Sequence, residues 1–150
     1  ELKWSMVTNA DGDIGMEIHL TDAASKGRGG RVIPMNRHLR EKMAELFVQE
    51  CRRHDFDISS SHVIRTERAQ KTTSQAIVNM FALWYADIGL SGCSSHSGRR
   101  TFITNAARKI SSVGGSLRDV QSLAGHSSLA VTQRYIEGDG EARVKVVELV

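Results

Sequence analysis

The apolar positions near the start of the chain predict a small sheet. Ile14, Met16 and Ile18 alternate with polar or small residues, which is the period of a half-buried strand. Val32 and Ile33 form a second β-branched segment after a turn-rich, glycine-containing stretch. The pattern therefore predicts two short antiparallel strands joined by a long hairpin.

The later apolar positions recur at the spacing of amphipathic helices. Asn36 precedes the first of them and is a residue type that caps helix N-termini. The predicted helices are residues 36 to about 51, 73–89, a helix after the loop 91–95 that carries Phe102 and Ile103, 116–125, 128–136 and 141–150. Together with the hairpin they predict an α+β fold that is mainly helical, with one small antiparallel sheet.

Composition is that of a globular domain. Of the 150 residues 40% are hydrophobic and 25% are charged, and no apolar run approaches the roughly 18 residues of a membrane helix. With one proline and no linker-like stretch, we expect a single domain over residues 1–150. Cys51 and Cys93 match no metal or disulfide spacing, so we expect reduced thiols in a cytoplasmic protein without membrane association.

The basic side chains are concentrated in two stretches that contain no acidic residue, although the net charge is only +3. Phosphate contacts supply most non-specific affinity for nucleic acids, so such stretches suit a polyanionic partner. A solvated face on a helical protein has the same pattern, and charge alone leaves both interpretations open. The stretches contain Lys26, Arg28, Arg31, Arg37 and Arg40, and then Arg99, Arg100, Arg108, Lys109 and Arg118.

Four residues in the second half of the chain are candidates for chemistry. His96 and Arg99 are three positions apart at the start of a predicted helix, so both side chains can point to one side. His126 follows a glycine at a corner between two predicted helices. Tyr135 comes nine residues later, within the next predicted helix and one turn from its end. Each has an ordinary alternative, such as a helix cap, a solvated charge or a half-buried core aromatic.

In combination these residues resemble the signature of tyrosine recombinases of the phage integrase kind. His-Ser-Gly-Arg at 96–99, Leu-Ala-Gly-His at 123–126 and Thr-Gln-Arg-Tyr at 132–135 follow the order H-x-x-R, L-x-G-H and T-x-x-Y. The nine-residue step from His126 to Tyr135 is also the spacing of that family. The three motifs in this order form a specific combination.

The resemblance extends over nearly the whole chain. Lys26 within Ser-Lys-Gly, followed by Arg-Val-Ile-Pro at 31–34, resembles the family's hairpin lysine and the strand after it. Leu2 and Trp4 resemble the L-x-W that precedes the first strand. The resemblance implies the tyrosine-recombinase catalytic-domain fold, of the DNA breaking-rejoining enzyme type.

The implied activity is site-specific cleavage and rejoining of DNA strands through a 3′-phosphotyrosyl intermediate. Tyr135 would be the nucleophile, and its phenol, with an ordinary pKa of about 10, needs a base and positive surroundings. Arg99 would bind two phosphate oxygens at once, because a guanidinium has pairs of parallel N–H donors and stays protonated. His96 and His126 would donate hydrogen bonds to the same phosphate or handle the proton of the nucleophile. Lys26 would protonate the leaving 5′-oxygen.

The expected partner is double-stranded DNA that carries an attachment site. Arg28, Arg31 and Arg100 are the further residues expected to bind it. The resemblance also implies a homo-oligomer on DNA that exchanges its C-terminal helix, residues 141–150, between protomers. No metal or cofactor is expected, since the histidines are far apart and no carboxylate pair accompanies them. Such an enzyme is expected to be bacterial or phage-encoded.

One part of the family pattern is missing from the sequence. The family has another catalytic arginine in an R-x-x-E segment shortly before the L-x-W, and an N-terminal DNA-clamping domain. The chain is therefore interpreted as a catalytic-domain fragment with an incomplete site. Two alternatives stay open: a non-catalytic DNA-binding module of the same fold, which uses the short helices around Gly125, and a metal-dependent phosphoesterase with His96 and His126 as ligands.

Overall fold

A computed structural model describes residues 2–24, 29–66, 69, 71–136, 144 and 146–149. The chain divides into two compact units, Glu1–Ser74 and Gln75–Val150, and each has its own hydrophobic cluster. The described elements are mainly helical, with one two-stranded antiparallel sheet. This is the architecture that the sequence predicts.

The sheet of the N-terminal unit consists of β1 (Glu17–Leu20) and β2 (Arg31–Pro34). Ile18 lies opposite Ile33 in the antiparallel register, so the two predicted strands are confirmed. The first strand begins later than the alternation from Ile14 suggests. Ile14 instead forms an isolated bridge with Thr8.

The helix of this unit, α1 (Arg37–Glu50), begins as predicted. The Asn36 side chain accepts a hydrogen bond from the backbone N–H of Leu39 at 2.8 Å, which satisfies one of the donors that a helix start leaves free. The ring of Phe47 on α1 lies 5.0 Å from that of Trp4. The buried residues of this core are Trp4, Val7, Met35, Met43 and Val63.

An ion-pair network fixes the end of α1. Arg65, whose side chain is only 3% exposed, donates from Nε to Glu50 at 2.6 Å. Its two terminal nitrogens each donate to the carboxylate of Asp55 at 3.1 Å. These hydrogen bonds hold the pKa of Asp55 below its ordinary value. The network joins α1 to the segment that leads out of the unit.

The described part of the C-terminal unit has four assigned α-helices. They are α2 (Ser74–Asp87), which starts at the unit boundary, α3 (Ser97–Lys109), α4 (Leu117–Ala124) and α5 (Leu129–Gln133). Ile103, Val120 and Ala124 form the buried core, and Tyr135 packs against it. The core therefore lies where α3, α4 and the end of α5 meet.

The predicted helix α2 is present, but several of its large apolar side chains are exposed. None of its residues is buried, and Leu83 and Trp84 are 66% and 53% exposed. Apolar side chains occur on nearly all sides of α2, so it has no clear polar face to turn toward water. No helix in the described ranges combines the length and the apolar character that crossing a bilayer requires.

The last predicted helices differ from the expectation. The sequence predicted a helix through Ile136, but α5 ends at Gln133. The N–H groups of Tyr135 and Ile136 bond to carbonyls three residues back, at 3.1 and 3.0 Å, which is turn geometry rather than α-helix. The placement of Tyr135 within a helix was therefore wrong. Half of the predicted helix 141–150 lies outside the described residues.

Candidate active site

The corner between α4 and α5 holds the backbone of His126 in place. α4 ends at Gly125, whose φ of +66° is the left-handed conformation that glycine adopts without steric cost. The N–H of His126 then donates to the carbonyl of Gln121 at 3.1 Å. The amide side chain of Gln121 donates to the carbonyl of His126, also at 3.1 Å. Both backbone polar groups of the histidine are thus fixed by one residue of α4.

The imidazole of His126 is oriented by a buried hydroxyl. Its Nδ1 lies 3.0 Å from Oγ1 of Thr132, a fully buried residue of α5. Burial, and then the positive charge of Arg99, lower the pKa of His126 from its ordinary value. The ring is therefore neutral near pH 7, and Nε2 is the nitrogen left for a substrate. When the hydrogen is on Nδ1, which then donates to Thr132, Nε2 can accept a proton. When Nδ1 accepts a hydrogen bond from the Thr132 hydroxyl, the hydrogen is on Nε2, which can donate it.

Arg99 is held against the end of α4. It lies in the first turn of α3, and its Nη2 donates to the carbonyl of Ala124, one of the carbonyls that a helix end leaves without a partner. A positive charge at a helix C-terminus is favourable. Since a guanidinium has five N–H donors, this contact positions the group and leaves other donors for an anion.

Tyr135 lies directly against His126. The two rings are stacked, with centroids 5.4 Å apart and planes inclined by 18°. The backbone carbonyl of Tyr135 accepts a hydrogen bond from Thr104 of α3 at 3.3 Å. The turn that carries the tyrosine is therefore tied to α3, and its ring packs on the core of the unit.

The structure brings three of the predicted site residues together: Arg99, His126 and Tyr135. His96 is the exposed residue directly before α3, one turn from Arg99, and its carbonyl accepts from the N–H of Arg100 at 3.0 Å. Its ring makes no hydrogen bond within the part of the chain that the structure describes. The predicted position of His126, in the corner between two helices, is confirmed.

The other predicted residues lie elsewhere in the chain. Lys26 and Arg28 fall outside the described residues. Arg31 lies on β2 of the N-terminal unit. Their proximity to the three residues above stays a prediction.

Sequence reasoning missed the residues that support the site. Thr132 was part of the T-x-x-Y motif but had no role, although its position six residues after His126 was a usable signal. Gln121, five positions before His126, was likewise assigned no role. Thr104 had no such signal, because its partner Tyr135 is 31 positions later.

A cavity of about 350 Å³ adjoins the tyrosine. It is lined by Arg100, Thr104, Val131, Arg134 and Tyr135. Among the described residues no group of three or more His, Cys, Asp or Glu side chains is arranged to hold a metal ion. The side chains brought together beside the cavity are an arginine, an imidazole and a phenol.

Solved structures with the same fold include a recombinase and a transposon integrase. The crystal structure of XerA recombinase matches 98% of this chain and 51% of its own, with a TM-score of 0.70 and 18% sequence identity. The Tn1549 transposon integrase in complex with a circular intermediate DNA matches all of this chain and 54% of its own, with a TM-score of 0.66 and 19% identity. At these identities the likeness establishes the fold, including the small sheet and the helical arrangement.

Sequence comparison gives the family. The tyrosine recombinase XerC of Proteus mirabilis is 28% identical over 150 residues, which are 98% of this chain and 47% of the relative. The chain thus spans about half the length of the relatives it matches. The sequence profile of the phage integrase family covers residues 1–141, the region that contains all three motifs and the corner that positions His126. The chain belongs to the phage integrase family.

Proposed function

We propose that this chain is the catalytic domain of a site-specific DNA recombinase with Tyr135 as its nucleophile. The observation that carries the proposal is the stack of Tyr135 on a neutral His126 beside Arg99. A phenol, a proton acceptor and a fixed cation within one small region are what attack on an anionic phosphodiester needs.

The first step forms a bond from the phenol oxygen to phosphorus and breaks the bond from phosphorus to the 5′-oxygen. The phenol proton passes to an imidazole, and His126 is the acceptor because its lowered pKa keeps it unprotonated. Stacked ring faces do not align Oη with Nε2, so the Tyr135 side chain must rotate before the transfer. Lys26 is proposed to protonate the leaving 5′-oxygen. The reverse sequence with another strand's 5′-hydroxyl rejoins the DNA.

Arg99 is proposed to stabilise the charge that develops on the two non-bridging oxygens. Its contact with Ala124 fixes the guanidinium before the substrate arrives, and such preorganised donors need no rearrangement during the reaction. Removing one donor of this kind typically slows a reaction by about 10²–10³. His96, one turn earlier on the same helix start, is proposed to donate to the same phosphate.

The proposed substrate is duplex DNA with an attachment site, bound by Arg28, Arg31 and Arg100. The solved relatives bound to circular intermediate DNA and to transposon right end DNA support this class of partner. Since the chain spans about half of its relatives, we assign to it the catalytic part of the activity. A homo-oligomer on DNA that exchanges residues 141–150, in a bacterial or phage-encoded cytoplasmic protein, is part of the same proposal.

A nicked suicide duplex tests the reaction class. With the full-length protein and its own attachment site, a phosphotyrosyl adduct is expected on a denaturing gel, and Tyr135→Phe is expected to abolish it. Tyr85→Phe is the matched control, because the chain has two tyrosines and Tyr85 lies on α2, outside the site. DNA binding without any adduct would indicate the non-catalytic module, and loss of activity on addition of a chelator would indicate the metal-dependent phosphoesterase.

A further inference from the structure

The cavity beside Tyr135 is distinct from the cluster of Arg99 and His126, because neither of these residues lines it. One wall comes from α3, where Arg100 and Thr104 are four positions apart and so share a side of the helix. The other wall comes from α5 and the turn after it, with Val131 and Arg134. Tyr135 borders both the cavity and the ring of His126.

The charged side chains known to line this cavity are positive. Among the described residues, Arg100 and Arg134 both line it, and no acidic residue does. Neither guanidinium has an ion pair or a side-chain hydrogen bond with any of the residues that the structure describes. Two such groups in one concavity repel each other in the free protein, and an anion between them removes that repulsion.

The two walls are connected to each other. The hydroxyl of Thr104 donates to the carbonyl of Tyr135 at 3.3 Å, which joins α3 to the turn that carries the tyrosine. The positions of Arg100 and Arg134 relative to the nucleophile are therefore set by the same contact that positions the nucleophile's backbone.

We propose that this cavity binds a second DNA backbone phosphate, the one adjacent to the phosphodiester that Tyr135 attacks. The proposal rests on the proposed function. Arg100 and Arg134 bind the non-bridging oxygens of one and the same phosphate, because a guanidinium fork matches that geometry. Val131 gives an apolar contact for the deoxyribose, and a volume of about 350 Å³ takes a nucleotide-sized group.

A second phosphate contact has a defined use in strand transfer. One bound phosphate leaves the strand free to pivot, whereas two neighbouring ones fix the direction of the backbone at the reacting phosphorus. Phosphate contacts set register without reading sequence. In-line attack depends on such orientation, and small misplacements are costly in rate.

The salt dependence of DNA binding tests the site. The full-length protein in a Tyr135→Phe background, which removes the covalent step, is titrated with a short duplex of arbitrary sequence between roughly 50 and 200 mM salt. Each phosphate contact contributes about 0.9 to the slope of log K against log salt. If both arginines bind one phosphate, the double variant Arg100→Gln/Arg134→Gln lowers the magnitude of the slope by about 0.9 in total. If the two arginines instead bound two separate phosphates, the magnitude of the slope would fall by about 1.8.

Arg52→Gln is the matched control, because Arg52 is an exposed arginine outside both basic stretches that does not line the cavity. It is expected to leave the slope unchanged. A loss of about 1.8 in the double variant, no loss, or an equal loss in the control would each overturn the proposal. The slope is measured without adduct formation, so this proposal and the proposed reaction can fail separately. If the protein with Tyr135 forms adducts but the double variant leaves the slope unchanged, only the phosphate site is rejected. If the slope changes as expected but no adducts form, only the proposed reaction is rejected.

Discussion

At the scale of single residues, the candidate site depends on a buried side chain behind His126. Thr132 is fully buried, and its hydroxyl is the partner of His126 Nδ1. Without it the imidazole keeps its backbone position but loses the contact that fixes the ring. The hydroxyl thereby leaves Nε2 as the ring nitrogen that is open to a ligand.

Replacing Thr132 with valine tests this role. Thr132→Val keeps the shape and removes the hydroxyl, so we expect a loss of about 1 kcal/mol in the free energy of unfolding. Adduct formation is expected to slow by about tenfold or more, since about 1.4 kcal/mol of lost orientation corresponds to a factor of ten. Thr101→Val, at an exposed position of α3, is the control and should change stability by less than about 0.5 kcal/mol. Equal rates for the two variants would contradict the role.

The lowered pKa of His126 predicts a pH dependence of stability. Above the ordinary pKa of 6.5 the ring is neutral in both the folded and the unfolded chain, so it contributes nothing to the slope. As the pH falls below 6.5, the unfolded chain takes up a proton that the folded chain does not, and folding is disfavoured. The free energy of unfolding therefore keeps falling until the pH is below the pKa of His126 in the folded state.

Chemical denaturation at a series of values between about pH 8 and pH 5 measures the effect. The wild-type protein is expected to lose more stability on acidification than His126→Gln. The difference between the two curves isolates this ring from the other five histidines, given six in the sequence. Parallel curves would mean that the histidine titrates alike in both states.

At the scale of elements, the corner after α4 positions His126. Gly125 with its positive φ lets the N–H of His126 return to Gln121. The same helix end offers the Ala124 carbonyl to Arg99. One short helix therefore fixes two of the three clustered residues, and its geometry depends on a glycine.

Gly125→Ala is expected to destabilise the protein by about 1–2 kcal/mol, because a Cβ in the left-handed region is strained. Adduct yield should fall as well, since the turn places His126. Gly98→Ala is the matched control: Gly98 lies within α3, its φ is not positive, and nothing lies within 4 Å of an added Cβ. That change is expected to stabilise by about 0.5 kcal/mol. Thermal unfolding of both variants checks the opposite signs.

The elements that the sequence predicted well are those fixed by local interactions. The start of α1 at Asn36 and the end of α4 at Gly125 depend on residues within one turn, so their sequence signals suffice. The turn at Tyr135 was missed because Thr104, 31 positions earlier, holds its carbonyl. Likewise, periodicity marks α2 as a helix but does not tell which of its apolar residues are covered.

At the scale of the whole molecule, the activity expected of residues 1–150 alone is limited. The relatives are about twice as long, and the family resemblance implies another catalytic arginine and a DNA-clamping domain in such enzymes. We expect the isolated chain to bind DNA weakly and with strong salt sensitivity, since few phosphate contacts position the duplex. Its adduct yield should be lower than that of the full-length protein by at least about 10²-fold.

Adduct yields of residues 1–150 alone and of the full-length protein, compared on one nicked substrate, measure this difference. Equal yields would mean that a residue within the chain, with Arg100 and Arg31 as the candidates, performs the role of the additional arginine. The assignment of the phosphate-binding groups would then have to change, although that of Tyr135 would not.

The exposed apolar side chains of α2 include a tryptophan, so intrinsic fluorescence can report on this helix. The sequence has two tryptophans, and they lie in different units: Trp4 is fully buried in the N-terminal unit, while Trp84 on α2 is 53% exposed. Trp4 should therefore emit at short wavelength and resist quenching by acrylamide, whereas Trp84 should emit at long wavelength and be quenched. In a Trp84→Phe variant the remaining emission follows unfolding of the N-terminal unit alone. In the wild-type protein, a blue shift of the long-wavelength component would report, without any label, the moment at which another surface covers α2.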